Sequence, residues 1–335
     1  QRNLSVFSER LQDAKLDDSS PGDSDLGDSD MGDSSEVSYE SRGITSGLAA
    51  GSSGETTTSL DFDYRYTILG FDGAARPDTN GHLHAIIVPI TRRHDRQDRT
   101  LAYYLAPALS VSSNALKDPD LLDTDALQLR AGLWYRKSVD DRQAWFAGLR
   151  ADYRFGPYRL YPVAGYCWKP DDTWQFQLAF PDFSITGHFT GGISIDLFVS
   201  PAGNRWHVFN KDTTRDSDFG YNAIVSGISL DWQINRSVGL SIGIISHSRR
   251  RFSYLDETGI SQDTSASSAI GYAASASIIF KLRGIRQAQF LSRVKTGNML
   301  QPSTGSKIRL RGLIPRTSRI TALPQKTTAG NMLCA

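Results

Sequence analysis

The chain reads as all-β: an antiparallel up-and-down transmembrane β-barrel of about twelve strands, with a disordered tail at each end. Three observations predict it. First, the stretch from Arg142 to Phe180 alternates strictly, with Trp145, Ala147, Leu149, Ala151 and Tyr153 on one face and Phe146, Gly148, Arg150, Asp152 and Arg154 on the other. Successive side chains of a strand point to opposite faces, so this alternation denotes strand and not helix. Second, the apolar face carries aromatics at the strand ends (Trp145 and Tyr153, Tyr158 and Trp168), with mostly small or aliphatic residues between. Eight residues rising about 3.3 Å each at a tilt of roughly 40° climb about 20 Å, close to the lipid-facing band of an outer-membrane barrel. Aromatic rings favour the headgroup zone at the edges of that band. Third, tight turns recur at short intervals, at Gly156-Pro157 and again at Pro170 to Thr173.

The elements follow in order. Residues 1–58 are acidic and rich in Ser, Asp and Gly, with Gly22-Asp23-Ser24-Asp25 repeated as Gly27-Asp28-Ser29-Asp30 and Gly32-Asp33-Ser34. Such composition buries too little apolar area to offset chain entropy, so the segment is expected to be disordered. Clustered aspartates suit a hard cation, but their spacing departs from the EF-hand loop, and a solvated tail is the better reading. The barrel is expected over 59–283. Leu60, Phe62, Tyr64, Tyr66 and Ile68 alternate with Asp61, Asp63, Arg65 and Thr67, and a strand near His82 to Arg92 follows a loop. Leu101, Tyr103, Leu105, Pro107, Leu109 and Val111 make the next apolar face. Pro89 and Pro107 each imply a bulge or a rim position, because proline lacks the ladder N–H.

Leu127, Leu129, Ala131, Leu133 and Tyr135 then face away from Gln128, Arg130, Gly132 and Trp134. Beyond the strands of residues 142–180 comes a short segment, Ile185 to Phe189. Ile193 to Val199 is next, with Pro201 to Asn204 read as a turn into Arg205 to Asn210. Strands at Ile224 to Trp232, Val238 to Ile244 and Ile270 to Phe280 complete a set of thirteen segments. Bacterial single-chain barrels use even strand numbers, so the Ile185 segment is folded into a neighbour to give about twelve. Residues 284–335 lose the alternation and turn basic, and are read as a disordered tail.

The 335 residues carry a net charge of +1, which argues neither for nucleic acid nor for acidic substrates, and no nucleic-acid partner is expected. No apolar run reaches the roughly 18 residues of a spanning helix, and the mean hydropathy is −0.35. Neither excludes a barrel, whose apolar surface is hidden in every second residue. The outer-membrane reading requires export, and the start at Gln1 fits either a mature terminus left by cleavage or a fragment.

No enzyme, cofactor or metal site is expected. His247 is followed by Ser248-Arg249-Arg250, whereas an outer-membrane phospholipase would present His, any residue, Ser and Asn. His82 and His84 share one strand face and are read as polar lining, not as a ligand pair. Asp61, Asp63, Arg65, Gln128, Arg130, Arg150, Asp152, Arg154 and Asp196 are the expected lining of the lumen. Trp145, Tyr153, Tyr158, Trp168, Trp174 and Trp232 are the expected aromatic girdle. Opposed Arg and Asp rows either border a narrow channel for small polar solutes or pair across it and make a plugged scaffold. A soluble β-sandwich or lipocalin-like binder stays open as an alternative, with the charged face in water; an outer-membrane lipid hydrolase is less favoured. On the membrane reading, Leu149→Arg costs stability and Arg150→Leu is far better tolerated.

The run Tyr161-Pro162, Trp168-Lys169-Pro170-Asp171-Asp172-Thr173-Trp174, Phe180-Pro181 and Gly203-Asn204-Arg205-Trp206, with the strands up to Phe280, resembles an uncharacterised family of Gram-negative outer-membrane β-barrel proteins. The resemblance covers roughly residues 60–282. It implies a barrel in the outer membrane with both barrel ends on the periplasmic side. It also implies lipid as a partner and Phe280 as the terminal aromatic residue met by the barrel-assembly machinery. The motifs are turn signatures, and they imply no catalytic residue.

Overall fold

The computed structural model describes residues 2–17, 35–72, 77, 81–122, 124–210, 214–255 and 258–280. Its strands begin with β1 (Arg2–Asp17), β2 (Glu36–Ser53), β3 (Thr56–Asp72), β4 (His82–Ile87), β5 (Ile90–Arg96) and β6 (Arg99–Ser112). A single helical turn, α1 (Ser113–Lys117), leads towards β7 (Leu127–Ser138), β8 (Gln143–Asp152), β9 (Arg159–Trp168), β10 (Trp174–Phe180) and β11 (Phe183–His188). The chain ends its described course with β12 (Ile193–Asn210), β13 (Arg215–Gln233), β14 (Val238–Leu255), β15 (Ser261–Ala266) and β16 (Ala269–Phe280).

Neighbouring strands pair antiparallel all the way round. The sheet closes on itself where β1 meets β16, from Arg2 opposite Phe280 to Leu11 opposite Gly271. β4 and β5 are one strand interrupted at Val88-Pro89, and β15 and β16 are one strand interrupted at Ser267-Ser268, so the ring has fourteen strands. Closure removes the free edges from the lower part of the ring, while β12 beyond Val199 stands clear of β11. The fold is therefore an up-and-down β-barrel in one continuous sheet, not a pair of packed sheets, and the sandwich alternative falls. Arg2 and Phe280 mark the near rim, where turns such as Gly54-Glu55 and Gln97-Asp98 are tight.

Three expectations are corrected. Residues 2–17 and 36–53 are not a disordered leader but the strands that close the ring. Composition over the first 58 residues averaged them with the Asp-Ser-Gly repeat, and their alternation is diluted by Ser, Gly and charged positions. The repeat itself, 18–34, lies outside the described residues, as does the basic tail 284–335. Pro201 to Asn204 is no turn: β12 runs unbroken from Ile193 to Asn210 and pairs with β13 throughout. The short segment near Ile185 is a strand in its own right, β11, paired on both sides. Fourteen strands therefore replace the expected twelve or so.

The wall is uneven. β12, β13 and β14 have 18, 19 and 18 residues and β1 to β3 have 16 to 18, whereas β8 to β11 have 10 or fewer. The tall side overtops the low side by roughly 20 Å at ordinary strand rise and tilt. Above the low side the tall strands approach across the gap, and Val111 of β6 pairs in parallel with His207 of β12.

Along the tall strands the polarity of the two faces reverses. In the lower part of β13, Ile228, Leu230 and Trp232 are exposed outside while Ser229 and Asp231 are buried inside. In its upper part Phe219 and Tyr221 are buried inside, and Asp218 and Asn222 sit outside. β3 repeats this: Asp61, Asp63 and Arg65 share the inner face of the lower part, Leu69 and Phe71 that of the upper part. The lower exterior is apolar and the upper exterior polar, the pattern of a barrel leaving lipid for water.

Candidate functional site in the barrel interior

Two structures close the far end. Under the tall strands the interior is a packed core in which Phe219 meets Phe71, Trp206, Phe252 and Tyr254 at ring-centroid distances of 5.9 to 6.4 Å. Burial of so many rings excludes water from this part of the barrel. Fully buried polar groups sit at its lower edge. His247 Nε2 lies 2.8 Å from Glu9 Oε1, and His247 Nδ1 lies 2.7 Å from the Tyr221 hydroxyl. Arg250 stacks on the Phe252 ring at 5.5 Å.

Over the low strands the seal is ionic. Arg150 Nε donates to Asp152 Oδ2 at 2.5 Å, and the Tyr161 hydroxyl donates to both Asp152 oxygens at 3.0 Å. Arg154, in the β8–β9 turn, reaches across to the β10–β11 turn and to β12. It donates to Asp182, to Ser200 Oγ at 2.5 Å and to the Pro201 carbonyl at 3.1 Å. Burial alone would raise the Asp182 carboxyl, but the Arg154 guanidinium beside it more than offsets this and holds it below the usual carboxylate range.

The predicted residues divide between these regions. Arg150, Asp152, Arg154 and Asp196 are buried on the inner face, with Asp196 accepting from Thr186 Oγ1 at 2.5 Å. Gln128 donates to the Arg205 carbonyl, and Arg130 Nη2 donates to Asn204 Oδ1 at 2.9 Å, tying β7 to β12. Asp61, Asp63 and Arg65 occupy the inner face of β3, with Arg65 Nη2 3.8 Å from Asp63 and its guanidinium 5.3 Å from the Phe7 ring. Arg65 and Arg130 line one small recess beneath the aromatic core, together with Tyr39, Asn204, Trp206 and Tyr221.

Sequence reasoning missed Glu9, Asp182 and Arg250. Glu9 lay in the segment read as disordered, and Asp182 sits in a turn with no periodic signal. Arg250 follows Arg249, whose φ of 50° helps shift the inward parity of β14 by one residue. Such an irregularity is invisible to alternation.

On the outer face Trp145, Trp168, Trp174 and Trp232 stand near the near-rim turns, while Tyr153 and Tyr158 pack together at 5.2 Å at the other end of β8 and β9. His82 and His84 do not line the interior. Leu83 between them is buried inside, and the two rings stack outside on Tyr66 and Tyr64, with Tyr64 Oη 2.9 Å from His84 Nδ1. His247 and Ser248 face opposite ways: the imidazole enters the core, and Ser248 Oγ donates to the Ile224 carbonyl at 3.2 Å. No nucleophile–base pair arises there. Among the described residues no group of three potential metal ligands occurs.

Solved barrels resemble the chain at low identity. The KdgM porin, solved in complex with disordered oligogalacturonate, aligns at a TM-score of 0.33 and 7% identity over 83% of this chain and 99% of its own. The Pseudomonas putida toluene transporter TodX gives 0.35 and 10% over 83% and 89%. The Ralstonia pickettii toluene transporter TbuX gives 0.35 and 10% over 84% and 90%. Such scores carry no residue-by-residue correspondence. No curated protein matches. Residues 57–282, well over half of the chain, match the family described as a domain of unknown function (DUF6268), and the chain belongs to that family.

Proposed function

We propose that this chain is an outer-membrane barrel forming a narrow, gated passage for small polar solutes. In it Asp61, Asp63, Arg65, Gln128, Arg130, Arg150, Asp152, Arg154 and Asp196 border the solute path. Trp145, Tyr153, Tyr158, Trp168, Trp174 and Trp232 sit in the two headgroup zones. The observation that carries the reading is a closed ring whose exterior exposes Leu149, Leu160 and Ile244 by 51, 68 and 62% while its inner face holds paired arginines and aspartates. Contiguous apolar exposure of this kind suits lipid and not water. The near rim, with Arg2 and Phe280, belongs on the periplasmic side in this reading, and Phe280 is the residue presented to the assembly machinery.

The sealed far end favours a second reading, a plugged structural barrel. Two experiments test the shared premise and then separate the readings. Cell fractionation and a heat-modifiable gel shift test the membrane barrel itself. Planar-bilayer recording then compares the native chain with an Arg154→Ala, Asp182→Ala double variant. The passage reading expects small or intermittent conductance that rises in the variant. Silence in both, with folding intact, leaves the scaffold.

A further inference from the structure

Beneath the aromatic core, the recess shared by β2, β3, β4, β7, β12 and β13 is lined by two guanidinium groups and an indole, with no carboxylate in the lining itself. Arg130 is a cation inside the barrel whose only hydrogen-bond partner among the described residues is the neutral Asn204 amide oxygen at 2.9 Å; no carboxylate lies within ion-pair distance, and its Nε is buried without an acceptor. Trp206, on the facing wall, is almost fully buried, and its indole N–H also lacks an acceptor. Arg65 brings a second guanidinium to the same space, with Asp63 3.8 Å away. An isolated guanidinium taken out of bulk water is costly unless an anion or ordered water answers it.

We propose that this recess is a binding site for a small organic acid. Its carboxylate would accept from Arg130 Nε and the Trp206 indole, with Arg65 supplying the second positive charge. The guanidinium fork matches a planar carboxylate. The rest of the wall decides against a bare inorganic anion: Ala85, Ile87 and Ala202 are aliphatic, and the Tyr39 and Tyr221 rings add apolar surface, so a carbon body is accommodated beside the charge. The recess is small, which limits the ligand to a short-chain acid. The site deepens the passage reading by naming the solute class, and it rests on that reading only for the route by which the acid arrives.

The test is calorimetric titration of the folded full chain in detergent with butyrate, with butyramide and with inorganic phosphate, alongside the conductance measurement. Saturable butyrate binding, at least tenfold weaker binding of butyramide and of phosphate, and at least a tenfold loss in Arg130→Gln are expected. Trp206→Phe, which keeps a ring but removes the N–H, should weaken butyrate several-fold; it holds the test open should Arg130→Gln fail the heat-modifiability check. Arg96→Gln, at the exposed near-rim turn, should leave binding unchanged. Equal binding of butyramide, tighter binding of phosphate, or full affinity in a folded Arg130→Gln or Trp206→Phe overturns the site. Conductance without butyrate binding sinks this proposal and leaves the passage standing. Binding without conductance in either the native chain or the unsealed variant does the reverse.

Discussion

Residues 149 and 150 are neighbours on β8 that meet different solvents, and replacing each probes one face of the wall. Leu149 is 51% exposed, paired with Leu133 on one side and Pro162 on the other. It stands six residues above Gln143 at the near rim, or about 15 Å at ordinary rise and tilt. That is mid-band, where arginine facing lipid costs about 2–4 kcal/mol. Leu149→Arg should lose that much, with no interior substitution able to restore it.

Arg150→Leu was expected from sequence to be mild, and the geometry reverses this. The change removes the guanidinium 2.5 Å from Asp152, a carboxylate with 1% of its side chain exposed. Breaking such a pair costs about 3–5 kcal/mol because it strands a buried charge. The Tyr161 hydroxyl and the Arg154 N–H still bond Asp152 and offset part of that, so a net loss of about 2–4 kcal/mol is expected. Adding Asp152→Asn to Arg150→Leu should recover most of it, since the carboxylate is then gone. Guanidinium unfolding of barrels refolded into vesicles, followed by tryptophan fluorescence, measures all four proteins. A harmless Leu149→Arg would refute the lipid-facing assignment; an Arg150→Leu not rescued by Asp152→Asn would refute the pairing argument.

Phe219→Ala, at the centre of the far-end core, should cost about 3–5 kcal/mol in the same assay while leaving membrane insertion intact, as a flotation assay would register. Asp182 is held below its ordinary range by Arg154, so its stabilising contribution is complete above about pH 4 and is lost as pH falls through its depressed value. The stability gap between the native chain and Asp182→Asn should therefore narrow from pH 7 to pH 3, and a gap that widens contradicts the seal. Gly148→Ala should lower stability, because a Cβ there would lie 2.2 Å from the Leu133 carbonyl oxygen and 2.7 Å from the Trp134 backbone. Unchanged unfolding would mean that β7 and β8 have room to part.

What was legible in the sequence was the low side of the wall. From β7 to β10 each strand lies in one environment on each face, so parity alone sorted Leu133 from Trp134 and Leu149 from Arg150. The tall side defeated the same reasoning, because a strand crossing from lipid to water exchanges the meaning of its faces midway. β1 and β2 looked like polar spacer for that reason. The histidines at 82 and 84 misled through parity: Leu83 and Ala85 point into the barrel, which puts both imidazoles outside against Tyr64 and Tyr66. Nor could alternation foresee the seal, since Arg154, Asp182 and Ser200 come from two turns and a strand far apart in sequence. Their meeting depends on the low strands ending where they do.

The stepped rim gives the molecule a direction within the plane of the membrane. On the proposed reading, with the near rim at the periplasmic side, a hydrophobic compound in the outer leaflet would reach the β8–β9 and β10–β11 tips without leaving the bilayer, because the strands there are short. A water-borne one approaching from the opposite side would first meet a rigid parapet of paired strands. Rotating the barrel about its axis therefore changes which neighbours and which diffusing molecules can touch the sealed low mouth.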